Sequence, residues 1–157
     1  MKYDSKKDTL KHIGVVKSLL KIVSKQLKLR GMNHDKSKLG FEEKETFDKY
    51  TPLLRRSTYG SEEYKEHLKC MEVALRHHYR NNRHHPEFFK WNADDLKNMN
   101  LIDLTEMLCD WIAASRRHEN GDIFKSIEIN QKRFGYGDEL KSILRHTAVT
   151  ILAEEKL

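Results

Sequence analysis

The chain has 157 residues, enough for one domain with a sizeable core and too few for two ordinary domains. Its 38% hydrophobic and 34% charged residues are typical of a globular protein with a heavily solvated surface and exclude a disordered chain. No apolar run approaches the roughly 18 residues that span a bilayer, and the N-terminus lacks the apolar stretch of a secretory signal. We therefore expect a cytoplasmic protein with no membrane segment. The net charge of +6 is typical of proteins that bind an anionic ligand.

Apolar residues recur at intervals of three and four along most of the chain, which predicts an all-α fold. We expect a single domain over 1–157, built as a bundle of about five to six helices. The first helix should end at Gly31 and the second at Thr51-Pro52, whereas Ser61, Asp122 and Asp138 should cap later helices. The predicted helices are 8–29, 41–50, 61–80, 101–117, 122–133 and 138–151.

Histidine and aspartate residues that could bind a metal ion occur at separate places along the chain. The most informative is a dipeptide, His34-Asp35, because adjacent imidazole and carboxylate groups offer two types of metal ligand from one backbone position. The other candidates are His12 upstream, His78, His84 and His85 in a histidine-rich stretch, and Asp110 downstream.

The helical phase of three of these residues predicts that they face the interior. His12 shares a face with Val16 and Leu19, and His78 shares one with Leu75. Asp110 lies in an otherwise apolar helix, where an ionised carboxylate costs several kcal/mol to bury unless it is paired or bound to a metal. Taken singly, each residue has a simpler explanation: a hydrogen-bonded core histidine, an interior salt bridge for Asp110, or a surface pair for His84-His85.

The order His12…His34-Asp35…Asp110 resembles the H…HD…D pattern of the HD superfamily of metal-dependent phosphohydrolases. The whole chain is also similar to a small uncharacterised bacterial and phage family with the motifs HDKSK, HHYxxNxHHPE, and DW following EM. In this chain those motifs lie at 34–38, 77–87 and 106–111. Lys38 matches an HDxxK variant of the pattern, in place of the glutamate that follows the pair in HD nucleotidases. No GYP tripeptide follows the histidine cluster, so the resemblance does not extend to hydrolysis of cyclic-di-GMP.

The resemblance implies an HD-like helical domain that holds one or two divalent transition metal ions (Mn, Fe, Co, Ni or Zn). The expected ligands are His12, His34, Asp35 and Asp110 for one ion, and His78, His84 and His85 for a second. Asp35 would bridge the ions or act as general base, and Lys38 would neutralise a phosphoryl oxygen. Glu87 would orient a histidine or act as an acid. For both Lys38 and Glu87, an ordinary surface position is an open alternative.

The leading functional hypothesis is hydrolysis of a phosphate ester, with a nucleotide or a related small anionic molecule as substrate. Nucleic acid is a less favoured partner, because the sequence lacks the interleaved aromatic and basic residues of a single-strand groove. An HD nuclease therefore remains an alternative, as do an HD-type di-iron oxygenase and a non-enzymatic nucleotide-binding protein. Oligomeric state is left open.

Overall fold

The computed structural model describes residues 3–58, 60–90, 96–117 and 121–155. These residues form helices and connecting segments without any strand, which confirms the all-α prediction. The described residues contain eight α-helices, more than the five or six predicted, and two 3-10 helices at Lys36–Leu39 and Leu96–Asn98. The α-helices are α1 (Lys6–Asn33), α2 (Lys44–Arg56), α3 (Glu62–Cys70), α4 (Glu72–Asn81), α5 (Glu87–Lys90), α6 (Leu101–Ser115), α7 (Ile123–Phe134) and α8 (Asp138–Glu154).

Two compact units make up the chain, Met1–His34 and Asp35–Leu157. The first unit consists of α1, in which no residue is buried. A single helix has no interior, so His12, predicted to face inward, is exposed in this unit. The helix also continues through Gly31, contrary to prediction, and ends where His34 leaves helical geometry with φ −50° and ψ 127°. One glycine costs a helix only about 1 kcal/mol, which is too little to stop a long helix by itself.

Proline and methionine account for two further differences from the predicted helices. Pro52 lies inside α2 instead of ending it, and the half-buried Leu53 and Leu54 extend the packed face of the helix for another turn. The single helix predicted after Ser61 is divided into α3 and α4 at Met71, a fully buried residue with φ −89° and ψ 1°. The additional short helix α5 follows Pro86.

Two of the three predicted caps are confirmed. The side chain of Ser61 accepts a hydrogen bond from the backbone of Tyr64, and that of Asp122 accepts one from Phe124. Asp138 is instead the first residue of α8, and the N-cap position belongs to Gly137. An acidic residue in the first turn still interacts favourably with the positive end of the helix dipole.

The main core of Asp35–Leu157 lies where α6, α7 and α8 pack together. Its buried residues include Met107, Leu108, Ile127, Leu144 and Ala148, with Trp111 stacked against Phe134 at its edge. Within the described part of the chain, no helix is both long enough and apolar enough to cross a membrane. Both cysteines, Cys70 and Cys109, are free and exposed.

The N-terminus of α6 provides a direct test of local stability. The Asn100 side chain accepts hydrogen bonds from the backbone of Ile102 and Asp103, and the Asp103 carboxylate accepts one from the backbone of Asn100. We expect Asn100→Ala to lower the free energy of unfolding by about 1 kcal/mol, because two backbone donors lose their acceptor. Asn100→Ser retains a capping oxygen and should lose less. Equal losses in urea titrations of the two variants would contradict this assignment.

Candidate metal centre

Asp35 occupies an unusual backbone position at the start of the second unit. Its φ of 55° and ψ of 14° are left-handed, and it is the only residue other than glycine with positive φ in the described ranges. Aspartate tolerates this conformation better than most residues, but the geometry still costs free energy and is found preferentially at functional sites. The turn that it forms leads into the 3-10 helix Lys36–Leu39, where Lys38 Nζ lies 2.6 Å from Asp35 Oδ2.

Three histidines from two segments converge near the other oxygen of Asp35. His78 lies in the last turn of α4, while His84 and His85 lie in the segment between α4 and α5. The helix α4 ends at Asn81, one residue beyond its predicted end, and the chain then brings His85 back beside His78. His78 and His84 are buried, and His85 and Asp35 are partly buried. One ligand atom from each of the four residues lies within 4.8 Å of all the others.

Three separations within this cluster are close to those between ligands that share one metal ion. Asp35 Oδ1 lies 3.3 Å from His78 Nε2 and 3.5 Å from His84 Nε2. His78 Nε2 lies 2.9 Å from His85 Nε2. With metal–nitrogen bonds of about 2.0–2.1 Å, neighbouring ligand atoms are about 3.3–3.4 Å apart in a tetrahedral centre and about 2.9 Å apart in an octahedral one. The observed separations cover this range, so the residues fit a transition metal ion.

Two carboxylates determine which histidine nitrogens carry protons. Glu43 Oε2 lies 2.9 Å from His78 Nδ1, and Glu106 Oε1 lies 3.3 Å from His84 Nδ1. An ionised carboxylate can only accept, so each Nδ1 donates a proton to its carboxylate, and in the neutral imidazole that would bind a metal ion Nε2 carries the lone pair. Both Nε2 atoms face Asp35 Oδ1, at 3.3 and 3.5 Å. Asp35 Oδ1 and the histidine nitrogens therefore form a group of atoms that could hold a metal ion.

Electrostatics favour the ligand forms of these side chains. Burial raises the pKa of Asp35, but its hydrogen bond to His78 and the positive charge of Lys38 outweigh burial and hold that pKa well below its ordinary range. Burial, together with the neighbouring His84 and His78, also lowers the pKa of His85 well below its usual value. A carboxylate and a neutral imidazole are the forms that bind metal ions.

The other residues predicted from the sequence lie in several places. An Asp110 carboxylate oxygen lies within 4.8 Å of one of Asp35, close enough for Asp110 to join the centre. Lys38 contacts Asp35 and lies over the ring of Phe47, so it neutralises a candidate ligand. Glu87 accepts a hydrogen bond from Arg133 of α7 at 2.5 Å. His12 and His34 belong to the unit Met1–His34, and their assignment as metal ligands stays a prediction.

Sequence reasoning missed the two carboxylates that contact the histidines. Glu106 stands four residues before Asp110 on α6, so helical spacing could have placed both on one face. No sequence pattern predicted that Glu43 would be buried, because it lies in the acidic run Glu42-Glu43-Lys44-Glu45. Only the packing of α2 against its neighbours buries it.

The geometry therefore defines a candidate metal-binding protein with a His/Asp/Glu centre. Residues 1–155 match the model of a family of unknown function, DUF5662, and the chain belongs to that family. No curated protein and no solved structure matches the chain significantly.

Proposed function

We propose that this protein is a metal-dependent phosphohydrolase, with Asp35, His78, His84 and His85 holding a divalent transition metal ion. The observation that carries the proposal is the convergence of Asp35 Oδ1 with two imidazole Nε2 atoms at 3.3 and 3.5 Å. Mixed nitrogen and oxygen ligation suits Mn, Fe, Co, Ni or Zn better than calcium. A bound ion of this kind would acidify a coordinated water and polarise a phosphoryl oxygen.

The surrounding residues have roles that do not depend on the identity of the ion. Glu43 and Glu106 orient the two buried histidines, and Lys38 holds Asp35 through its second oxygen. Asp110 is available as a second carboxylate, either as a further ligand or as the base that takes a proton from water. The net charge of +6 favours a small substrate that bears phosphate, such as a nucleotide. An HD-like arrangement of the helices is part of this proposal.

The test begins with metal content. We expect the purified protein to retain a transition metal ion, and His84→Ala to lose most of it because that variant removes a ligand. His146→Ala is the matched control, since His146 is an exposed histidine of α8. Mass spectrometry of the three proteins measures the difference. A wild-type protein that binds none of the five metals, or a His84→Ala variant that binds them as well as wild type, would refute the metal centre.

Activity is tested with the metal-loaded protein. We expect phosphate release from at least one member of a panel of nucleotides, cyclic dinucleotides and sugar phosphates in the presence of Mn, Co or Ni. The rate should fall with the metal content of His84→Ala and stay unchanged in His146→Ala. A metal-replete protein that releases no phosphate from any member would reject hydrolysis while leaving the metal centre intact.

One observation favours a second candidate function. Asp35, His78 and His84 supply two histidines and one carboxylate, the ligand set of many non-haem iron enzymes that use O₂. If this function is correct, the iron-loaded protein should absorb visible light and consume O₂ with an organic substrate, without releasing phosphate. Phosphate release with Mn or Co alone would favour the hydrolase instead.

A further inference from the structure

Glu43 is the most completely buried carboxylate near the candidate metal centre. Its side chain is 0% exposed, although it lies in an acidic run whose other members are on the surface. Burial of an ionised carboxylate costs several kcal/mol unless charge and hydrogen bonds compensate for it. The burial of Glu43 is therefore explained by what its two oxygens contact.

Each oxygen of Glu43 contacts a different one of two consecutive histidines. Oε1 lies 2.7 Å from His77 Nδ1, and Oε2 lies 2.9 Å from His78 Nδ1. The two histidines have different surroundings: His78 is buried in the metal cluster, whereas the side chain of His77 is 37% exposed. Glu43 thus joins the start of α2 to the last turns of α4 at the position where α4 supplies its metal ligand.

From this geometry we infer that Glu43 is the positioning residue that fixes the tautomer and ring orientation of His78 for metal binding, with His77 holding its second oxygen. The inference rests on the proposed metal centre and goes beyond it, since Glu43 itself lies behind the histidine and binds no metal. A carboxylate on the far nitrogen of a histidine ligand commonly raises metal affinity, and its loss costs about 10–100-fold.

Glu43 is expected to matter more than Glu106. The Glu43–His78 distance of 2.9 Å is that of a well-formed hydrogen bond, whereas the 3.3 Å between Glu106 and His84 is longer than the common range. Glu43 also has its second oxygen fixed by His77, so it has less freedom to move away from His78.

The first experiment compares Glu43→Gln with Glu42→Gln by titration with Co²⁺. The amide introduced by Glu43→Gln would present an N–H to one of the two Nδ1–H groups, so one histidine loses its acceptor. We expect Co²⁺ affinity to fall about 10–100-fold in Glu43→Gln, with altered visible absorption of the bound ion. Glu42→Gln should bind like wild type, because Glu42 is exposed. A folded Glu43→Gln protein with wild-type affinity and spectrum would overturn the inference.

A second measurement requires no substitution and so does not depend on the folding of a variant. Long-range ¹H–¹⁵N spectra of the wild-type protein report which nitrogen of each histidine carries the proton. We expect the proton of His78 to be on Nδ1, and finding it on Nε2 would overturn the inference. A different result would refute the proposed function. If the wild-type protein had no affinity for Co²⁺ or the other metals, the metal centre itself would be refuted.

Discussion

Replacing Asp35 with asparagine is expected to weaken metal binding by about a hundredfold or more. Asparagine also tolerates the left-handed backbone at position 35, so the variant keeps the turn while it replaces the carboxylate that is both the candidate ligand and the ionic partner of Lys38. The apparent binding free energy of a structural zinc site is about 10–16 kcal/mol, so one of four ligands contributes roughly 3 kcal/mol, which is about a hundredfold in affinity. Calorimetric titration with Zn²⁺ or Co²⁺ measures the loss directly.

Asp48→Asn provides the control for this experiment. Asp48 is an exposed aspartate of α2 that pairs with Lys44 on the same helix, so its substitution removes a carboxylate of the same chemistry away from the centre. We expect Asp48→Asn to bind metal like wild type and to show the same rise in melting temperature when metal is added. If Asp35→Asn also kept the full metal-dependent rise, Asp35 could not be a ligand.

Arg83→Met is expected to lower the free energy of unfolding by about 3 kcal/mol. Arg83 precedes the candidate ligands His84 and His85 and donates through Nη2 to the Asp103 carboxylate at 3.0 Å. Asp103 is 0% exposed, so the substitution removes an ionic partner of a buried charge, and breaking a buried ion pair typically costs about 3–5 kcal/mol. The lower part of that range applies because the Arg83 side chain is 41% exposed. Urea unfolding of the metal-free proteins gives the measurement.

Two comparison variants distinguish the effect of the buried charge on stability from the general effect of losing an arginine. Arg116→Met removes the exposed ion pair between Arg116 and Glu155 and should change the free energy of unfolding little, because solvent screens such a pair. The double variant Arg83→Met/Asp103→Asn removes the buried charge as well as its partner, and should recover much of the lost stability. A double variant no more stable than Arg83→Met alone would show that the pair acts through packing rather than charge.

Much of the fold was predictable because helix formation depends on residues that lie close together in the sequence. The repeat of apolar residues predicted α6, α7 and α8 within a few residues, and the caps Ser61 and Asp122 follow from side chains that satisfy nearby backbone groups. No local sequence pattern predicted the division between α3 and α4 at Met71. Neither glycine nor proline is present there, and the fully buried Met71 side chain indicates that packing determines the break.

The candidate site also has a part that the sequence predicted and a part that it did not. Residue chemistry and spacing alone identified Asp35, His78, His84 and His85, because histidines clustered near a helix end and an adjacent carboxylate are uncommon and suit metal ions. The resemblance to HD proteins implied catalytic roles for Lys38 and Glu87, which stay predictions, and the structure pairs these side chains with Asp35 and Arg133. A pattern can name the residues able to do chemistry, whereas the partner of each charge depends on chain segments far away in sequence.

The sequence by itself therefore determined the helical class and the metal-binding residue types, because both depend on groups within a few positions of each other. Only the tertiary structure brought Asp35 to within 3.3–3.5 Å of histidines more than forty residues away, and placed Glu43 behind His78. These contacts arise from the packing of α2 and α4 with the His84-His85 segment, which buries charges in pairs to avoid the cost of isolating them. That requirement acts on the folded chain as a whole, so no local sequence pattern predicts these contacts.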